Sequence, residues 1–142
     1  MHDVGKIGTP DGILNKPGKL TGDEFEIIKQ HTVTGYTIFR TSELPVLKLA
    51  AEIALNHHEQ WCGAGYPNAI SGESIPLAAR ITALADVFDA VTHARIYKSA
   101  WKIEDACNFI TGQSQVMFDP ALVDLFMKNF SMFREIHDRL PD

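Results

Sequence analysis

The sequence predicts an all-α fold, and three observations support that prediction. Thr21 is followed three residues later by Glu24, which is the capping-box pattern of a helix N-terminus. Pro45 and Pro120 stand where the first turn of a helix is expected, and apolar residues at helical spacing follow each of them. No stretch alternates convincingly between apolar and polar residues, as a half-buried strand would.

Glycine, proline and capping residues place the elements along the chain. Segments dense in glycine and proline are predicted to be irregular, because these residues interrupt regular structure. Gly112 is expected to end one helix, and Asp119 to cap the next. In chain order we predict an irregular segment at 3–20, helices at 21–40 and 45–59, an irregular segment at 60–75, and helices from 76, at 103–111 and at 120–139.

The composition is that of one globular domain, spanning residues 1–142. Hydrophobic residues make up 45% of the chain and charged residues 22%, as in ordinary globular proteins. A net charge of -5 argues against general DNA or RNA binding. Cys62 and Cys107 are isolated, and no apolar run approaches the length of a membrane span. We therefore expect a cytoplasmic protein with no nucleic-acid polymer or membrane as partner.

Imidazole and carboxylate side chains form the candidate functional site. Nitrogen and oxygen ligands suit first-row divalent metals, which can activate water and hold phosphate. Neighbouring side chains on a helix diverge by roughly 100°, so His57 and His58 are expected to serve two adjacent ions. Asp3 could bridge two ions, because a carboxylate has two oxygens. The candidate metal ligands are His2, Asp3, His31, His57, His58 and Asp86.

Each of these residues also has an ordinary structural explanation. A lone histidine such as His31 is more often packed or capping than ligating. Asp86 is the sharper case, since it lies in an apolar helical stretch where a charge is costly unless it is paired or metal-bound. Taken together, the set indicates a hydrolytic metal centre more strongly than any single member does.

Three segments are specific enough to indicate a family: HDVGKIGTPDGILNKPGKL, HHEQWCGAGYP and ADVFDAVTHARIYKSAW. In this order they closely resemble the HD-GYP family, a bacterial branch of the HD-domain metal-dependent phosphohydrolases. The resemblance covers nearly the whole chain. It implies an α-helical HD-domain bundle with two or three divalent metal ions, usually iron or manganese. It also implies hydrolysis of cyclic di-GMP, a bacterial second messenger, by metal-activated water.

The resemblance also assigns roles residue by residue. The metal ligands would be the six residues named above, with Asp3 at the centre of catalysis. Lys6 would contact the substrate phosphate during catalysis, and Arg95 and Lys98 would hold the same phosphate or its neighbour. Asp89 would be a carboxylate on the substrate side. Positive charges placed in this way stabilise the charge that builds on phosphoryl oxygens.

The Gly65-Tyr66-Pro67 loop carries the second motif of the family. In the family this loop shapes the site, where Tyr66 would contact substrate, and it is proposed to mediate contacts with partner signalling proteins. From the residue type alone, Tyr66 could equally pack on the nearby Trp61.

The chain departs from the family pattern at several positions. The family carries two further metal ligands, a glutamate and a histidine, on a helix before the HD pair, where this chain begins. We therefore expect an N-terminally truncated bundle with an incomplete metal site, whose uncovered apolar faces favour a homodimer. Cys62 replaces an aspartate, Ile96 replaces a proline, and Ala69 stands where glycine is common.

Three functions follow from these patterns. The leading prediction is an enzyme that hydrolyses a cyclic dinucleotide. The alternative is a catalytically degenerate signalling module that binds nucleotide or partner proteins without turnover. A third reading is an oxidative di-iron enzyme of the wider HD superfamily, but Lys6, Arg95 and Lys98 favour phosphate as the ligand.

Overall fold

A computed structural model describes residues 1–93 and 100–139. The predicted all-α fold is confirmed: these residues form helices and no strand, apart from an isolated bridge between Ser114 and Phe118. None of the described helices is both long enough and apolar enough to cross a membrane. The helices are α1 (Asp11–Leu14), α2 (Gly22–Phe39), α3 (Pro45–Asn56), α4 (Leu77–Thr92), α5 (Ile103–Gly112), α6 (Pro120–Lys128) and α7 (Phe130–Arg139), with 3-10 turns at Val4–Gly8 and Gly72–Ser74.

The capping box starts α2 where the sequence predicts. The Thr21 hydroxyl accepts a hydrogen bond from the Glu24 amide, and the Glu24 carboxylate accepts one from the Thr21 amide at 2.7 Å. Lys16 Nζ lies 2.6 Å from the same carboxylate. This hydrogen bond lowers the pKa of Glu24 below its ordinary value. The glycine-rich segment before α2 is thereby tied to the start of the helix.

Small residues allow the first elements to approach one another closely. Gly35 on α2 faces Ala54 on α3, and a Cβ added at Gly35 would lie 3.1 Å from the Cβ of Ala54. Gly5, in the first 3-10 turn, is packed still more tightly against α2. A Cβ added there would lie 1.9 Å from the carbonyl oxygen of His31, so only glycine fits. This contact holds the N-terminal turn beside His31.

The second half of the chain packs around a separate apolar core. Phe126 lies at its centre, with its ring in contact with the rings of Phe88 at 5.4 Å and Phe133 at 4.8 Å between centroids. α4 contributes to this core and also carries Asp86, so it links the core to the candidate site. The buried core residues are Leu84, Cys107, Ile110, Phe118, Val123 and Phe126.

The segment at 3–20 is more regular than predicted. It contains the 3-10 turn Val4–Gly8 and the short helix Asp11–Leu14. A turn of this kind closes with few residues, here through the Lys6 amide bonded to the Asp3 carbonyl at 3.0 Å. Glycine and proline interrupt long helices, but they allow turns of this length.

Two helix ends also differ from the prediction. α3 ends at Asn56 rather than near Glu59, because the chain turns there and the Glu59 amide bonds to the Asn56 carbonyl at 3.0 Å. The final helical stretch is divided into α6 and α7 at Asn129. The Asn129 side chain donates to the carbonyl of Leu125 at 2.8 Å and so competes with the helical hydrogen bonds.

Candidate metal centre

Three separate segments of the chain meet at one cluster of ligand-type side chains. Asp3 precedes the first 3-10 turn, His31 lies in the middle of α2, and His57 and His58 follow the end of α3. One candidate ligand atom from each of these four residues lies within 4.8 Å of the others. The cluster exists because Gly5 and Gly35 let these segments approach closely.

The two neighbouring histidines do not diverge as a helix would require. α3 ends at Asn56, so His57 and His58 lie just beyond it. Their ring centroids are 4.1 Å apart, and both rings contact the ring of His31. Because the helix has ended, both contribute to the same group of ligand atoms, which favours one shared ion; the expectation that they serve two adjacent ions stays a prediction.

Hydrogen bonds to the backbone orient two of the imidazoles. His31 Nδ1 lies 2.6 Å from the carbonyl oxygen of Ile28, and His57 Nδ1 lies 3.0 Å from that of Ala54. A carbonyl oxygen only accepts, so each Nδ1 carries the proton and each Nε2 carries a lone pair. The two Nε2 atoms are 3.3 Å apart. Two lone pairs held this close repel each other unless a cation lies between them.

The carboxylate of Asp3 supports the same interpretation. Its Oδ1 atom is buried without a hydrogen-bond partner among the described residues and lies 3.5 Å from His31 Nε2 and 3.9 Å from His57 Nε2. A buried carboxylate oxygen without a partner is costly, and a divalent cation among these imidazoles would satisfy it. The donor set is also one that first-row metals accept. The described residues therefore fit a metal ion at this cluster.

The second oxygen of Asp3 faces a different group. Oδ2 accepts a hydrogen bond from Lys6 Nζ at 2.7 Å and lies 3.3 Å from His2 Nε2. The same His2 nitrogen lies 3.4 Å from Asp86 Oδ1. His2 and Asp86 thus lie beside the four-residue cluster, and Asp3 stands between the two groups. This is the arrangement that a bridging carboxylate requires.

Burial keeps the histidines neutral, which is the form that binds metal. Burial and then the neighbouring imidazoles lower the pKa of His57 to about 4 and that of His58 to about 3. Burial also lowers the pKa of His31. For Asp3, burial acts to raise the pKa, but the hydrogen bond and charge of Lys6 outweigh it and the pKa is lowered. The carboxylate is therefore ionised and the imidazoles are uncharged at neutral pH.

Tyr66 lies against the cluster. Its ring stacks on that of His58 with a centroid distance of 4.8 Å, and its edge contacts Phe25 at 6.2 Å. Among the described residues, the aromatic rings that contact Tyr66 are those of His58 and Phe25, and not that of Trp61 as the alternative required. The Arg80 guanidinium lies over the Trp61 ring. Burial, followed by the negative charges of two nearby carboxylates, raises the pKa of Tyr66 to about 12. The phenol is therefore protonated at neutral pH.

The described contacts do not connect the remaining residues that the sequence singled out to the cluster. Asp89 Oδ1 lies 3.2 Å from His93 Nδ1, its side chain is 67% exposed, and none of the ion pairs found among the described residues joins it to the cluster. Arg95 and Lys98 lie outside the described residues. Cys62 is exposed and is not part of the ligand cluster.

The loop motif packs through its glycine onto a residue for which the sequence suggested no role. A Cβ added at Gly65 would lie 2.4 Å from Cα of Glu59, so the loop backbone rests directly on that residue. Glu59 is buried, and its Oε1 accepts a hydrogen bond from the Asn68 amide at 2.7 Å. In the sequence, the feature that could have indicated a role for Glu59 was its position, directly after two candidate ligands and before a glycine-rich loop.

The sequence matches a known protein family and is similar to several known proteins. A family model described as the HD domain matches residues 1–122. A cyclic di-GMP phosphodiesterase of Thermotoga maritima is 45% identical over 142 residues, which is 100% of this chain and 39% of that protein. The 3'3'-cGAMP-specific phosphodiesterase 2 of Vibrio cholerae is 44% identical over 100% of this chain and 27% of that protein.

The fold also matches a solved structure. The crystal structure of a cyclic GMP-AMP-specific phosphodiesterase of Vibrio cholerae superposes with a TM-score of 0.65 at 26% identity, covering 92% of this chain and 36% of that chain. This chain thus spans only about a quarter to two fifths of the length of the proteins it matches.

Proposed function

The chain belongs to the HD-domain family, in its HD-GYP branch, and from that premise we propose that it hydrolyses a phosphodiester bond of cyclic di-GMP with metal-activated water. The observation that carries the proposal is the carboxylate of Asp3, which has one orphaned oxygen facing imidazoles and the other bonded to Lys6. The names of its relatives support a cyclic dinucleotide as the substrate class.

The two groups of side chains support two neighbouring divalent ions, of iron or manganese. Asp3 with His31, His57 and His58 would hold one ion, and Asp3 with His2 and Asp86 a second. A third ion would need ligands beyond these six side chains. When bound, such ions polarise a phosphoryl oxygen and lower the pKa of bound water.

The other side chains of the site would bind and orient the substrate. Lys6 Nζ, 2.7 Å from Asp3, puts a positive charge beside that carboxylate, where it would stabilise charge on a phosphoryl oxygen. The protonated Tyr66 phenol would donate a hydrogen bond to the dinucleotide. Arg95, Lys98 and Asp89 remain proposed contacts to the substrate.

A turnover assay tests this function. The purified chain, and a version extended upstream because its relatives are longer, would be loaded with Mn²⁺ or Fe²⁺ and incubated with cyclic di-GMP or 3'3'-cGAMP. Chromatography would follow the linear dinucleotide and mononucleotide products. We expect hydrolysis by the wild type, none by Asp3→Asn, and full activity in Glu43→Gln, whose side chain is 91% exposed and pairs with Lys48.

Three outcomes would count against parts of the proposal. No turnover of either nucleotide by the metal-loaded, extended protein would refute hydrolysis. Nucleotide binding without product would instead favour the signalling module that binds without catalysis. If Asp3→Asn binds and hydrolyses the cyclic dinucleotide as well as the wild type does, Asp3 has no role in the mechanism.

The homodimer and the partner contacts of the Gly65-Tyr66-Pro67 loop remain predictions. An apolar groove of about 500 Å³ between α4, α6 and α7 supports the first, since such a surface favours association. The exposed Pro67 at the tip of the motif is compatible with the second. The mass of the protein in solution, measured by light scattering, tests the homodimer.

A further inference from the structure

A buried carboxylate next to the metal cluster has one oxygen that accepts no hydrogen bond from residues 1–93 or 100–139. Glu59 is only 3% exposed. Its Oε1 accepts the hydrogen bond from the Asn68 amide, but its Oε2 is buried and has no partner in the part of the chain that the structure describes. A buried charged oxygen left in this state destabilises the fold, so a group that donates a hydrogen bond to it is expected.

A small cavity lined by Glu59 is also lined by a residue with a buried donor that no described group satisfies. Arg80 on α4 donates from Nη1 to Asp119 Oδ2 at 2.5 Å, and its guanidinium lies over the ring of Trp61. Its Nε–H group is buried and has no hydrogen-bond partner within the described ranges. Glu59 and Arg80 both line the same cavity, which has a volume of about 10 Å³.

We propose that one water molecule occupies this cavity and bridges Glu59 to Arg80. The volume is close to the minimum that holds a single water and is too small for a larger ligand. The occupant must accept from Arg80 Nε–H and donate to Glu59 Oε2, and water does both. The guanidinium repels a cation, and the carboxylate repels an anion.

The bridge makes Glu59 a positioning residue of the metal centre. Glu59 directly follows His58, and its carboxylate fixes Asn68 on the far side of the loop. The Tyr66 amide bonds to the His58 carbonyl at 3.2 Å, so the same turn sets both the stacked tyrosine and a metal ligand. A shift of Glu59 would displace both.

The other end of the bridge is anchored in the second half of the chain. Asp119 pairs with Arg80 through Oδ2 and accepts the Ala121 amide through Oδ1 at 2.9 Å, which caps α6. Through Arg80 and the water, the cap of α6 supports the turn that carries His58. The metal site is thus braced by residues about 60 positions away in sequence.

A crystal structure that resolves ordered water tests the bridge directly. We expect a water within about 3 Å of both Glu59 Oε2 and Arg80 Nε. An empty cavity, or a direct contact between the two side chains, would overturn the proposal.

A double-mutant cycle tests the coupling in solution. Glu59→Met and Arg80→Met are each expected to lower the melting temperature by about 5 °C or more, since each leaves the other group unsatisfied. If the water joins them, the double variant loses clearly less than the sum of the two single losses. Additive losses would refute the bridge. Arg134→Met is the matched control, because this arginine is 54% exposed and pairs with Glu104 at 3.4 Å.

Metal affinity tests the positioning role independently of turnover. We expect Glu59→Met to weaken Mn²⁺ binding about tenfold in a calorimetric titration, as loss of a group that supports a ligand does. Glu59→Gln should restore most of this affinity, because its amide oxygen can still accept from Asn68 and its amide group can still bind the water. A folded Glu59→Met protein with wild-type Mn²⁺ affinity, or no recovery in Glu59→Gln, would refute the role.

The effect on catalysis rests on the proposed function and is measured separately. In the metal-loaded protein with cyclic di-GMP, we expect Glu59→Met to lower kcat more than it raises KM, because it displaces a metal ligand. A change confined to KM would contradict this. If the wild type does not turn over at all, the proposed function fails, while the water and the Mn²⁺ titration still decide the inference.

Discussion

Two buried histidines should make the stability of the metal-free protein depend on pH. Burial and neighbouring imidazoles lower the pKa of His57 to about 4 and that of His58 to about 3. In the unfolded chain both would titrate near about 6.5. Between these values the unfolded chain binds protons that the folded protein does not. The free energy of unfolding therefore falls as the pH decreases from about 6.5 toward 4.

The size of the effect follows from the pKa values. At pH 5, about 1.5 units below the unfolded pKa, each of these two histidines lowers the free energy of unfolding by about 2 kcal/mol, or about 4 kcal/mol for the pair. A chain of this length unfolds with an entropy of about 0.3 kcal/mol/K, so the melting temperature should fall by about 13 °C. His31, whose pKa is also lowered by burial, acts in the same direction.

Carboxylates do not account for this pH window. The pKa values of Asp3 and Glu24 are lowered in the folded protein. Their contribution to stability is present above the unfolded pKa, near about 4, and is lost only as the pH falls below it. A decrease in the free energy of unfolding between pH 7 and pH 5 is therefore attributed to the histidines.

Thermal unfolding in the presence of a chelator measures the effect. Melting temperatures would be compared between pH 7.5 and pH 5 for the wild type, His58→Gln and the exposed-site control Lys48→Gln. We expect His58→Gln to remove about half of the decrease and the control to keep all of it. Mn²⁺ should raise the melting temperature at both pH values without abolishing the decrease, since the folded imidazoles are already neutral and the unfolded chain still takes up protons. A constant melting temperature in the wild type, or imidazole titrations near pH 6.5 by NMR, would refute the reasoning.

Three further outcomes are expected. Asp3→Asn should weaken Mn²⁺ binding by at least about 100-fold in a calorimetric titration, since it removes the charge shared by both groups; unchanged affinity would contradict the bridging role. Gly5→Ala should destabilise the protein by about 3 kcal/mol or more in urea, because its Cβ meets the His31 carbonyl, whereas Gly8→Ala, 3.5 Å from its nearest neighbour, should be neutral. Ala69→Gly should stabilise by about 1 kcal/mol in the same assay, because Ala69 has a φ of +52°; a loss of stability would disprove this.

Features that depend on neighbours along the chain were predictable from the sequence. The capping box at Thr21, the prolines at helix starts and Gly112 at the end of α5 all act within a few residues, so the cap at Thr21 and the helix starts at 45 and 120 agree with the structure. The HD, HHE and GYP strings likewise indicated the family and the ligand types without any coordinates.

The ends of α3 and of the final helical stretch were harder to predict from the sequence. α3 lacks a glycine or proline at its end, so its apolar pattern appeared to continue to Glu59. The chain turns at Asn56 because the residues that follow pack into the cluster. Asn129 similarly divides α6 from α7 through a side-chain bond that competes with the helix.

The sequence by itself determined which side chains could bind metal and that helices would carry two of them, His31 and Asp86. Only the tertiary structure decided that His31 and His57 bring their Nε2 atoms within 3.3 Å, that Tyr66 stacks on His58, and that Glu59 faces Arg80 across a cavity. The physical reason is that caps and turns arise from local hydrogen bonds, whereas these contacts join residues far apart in the chain. Their distances depend on how closely the glycine and alanine faces of the helices can pack.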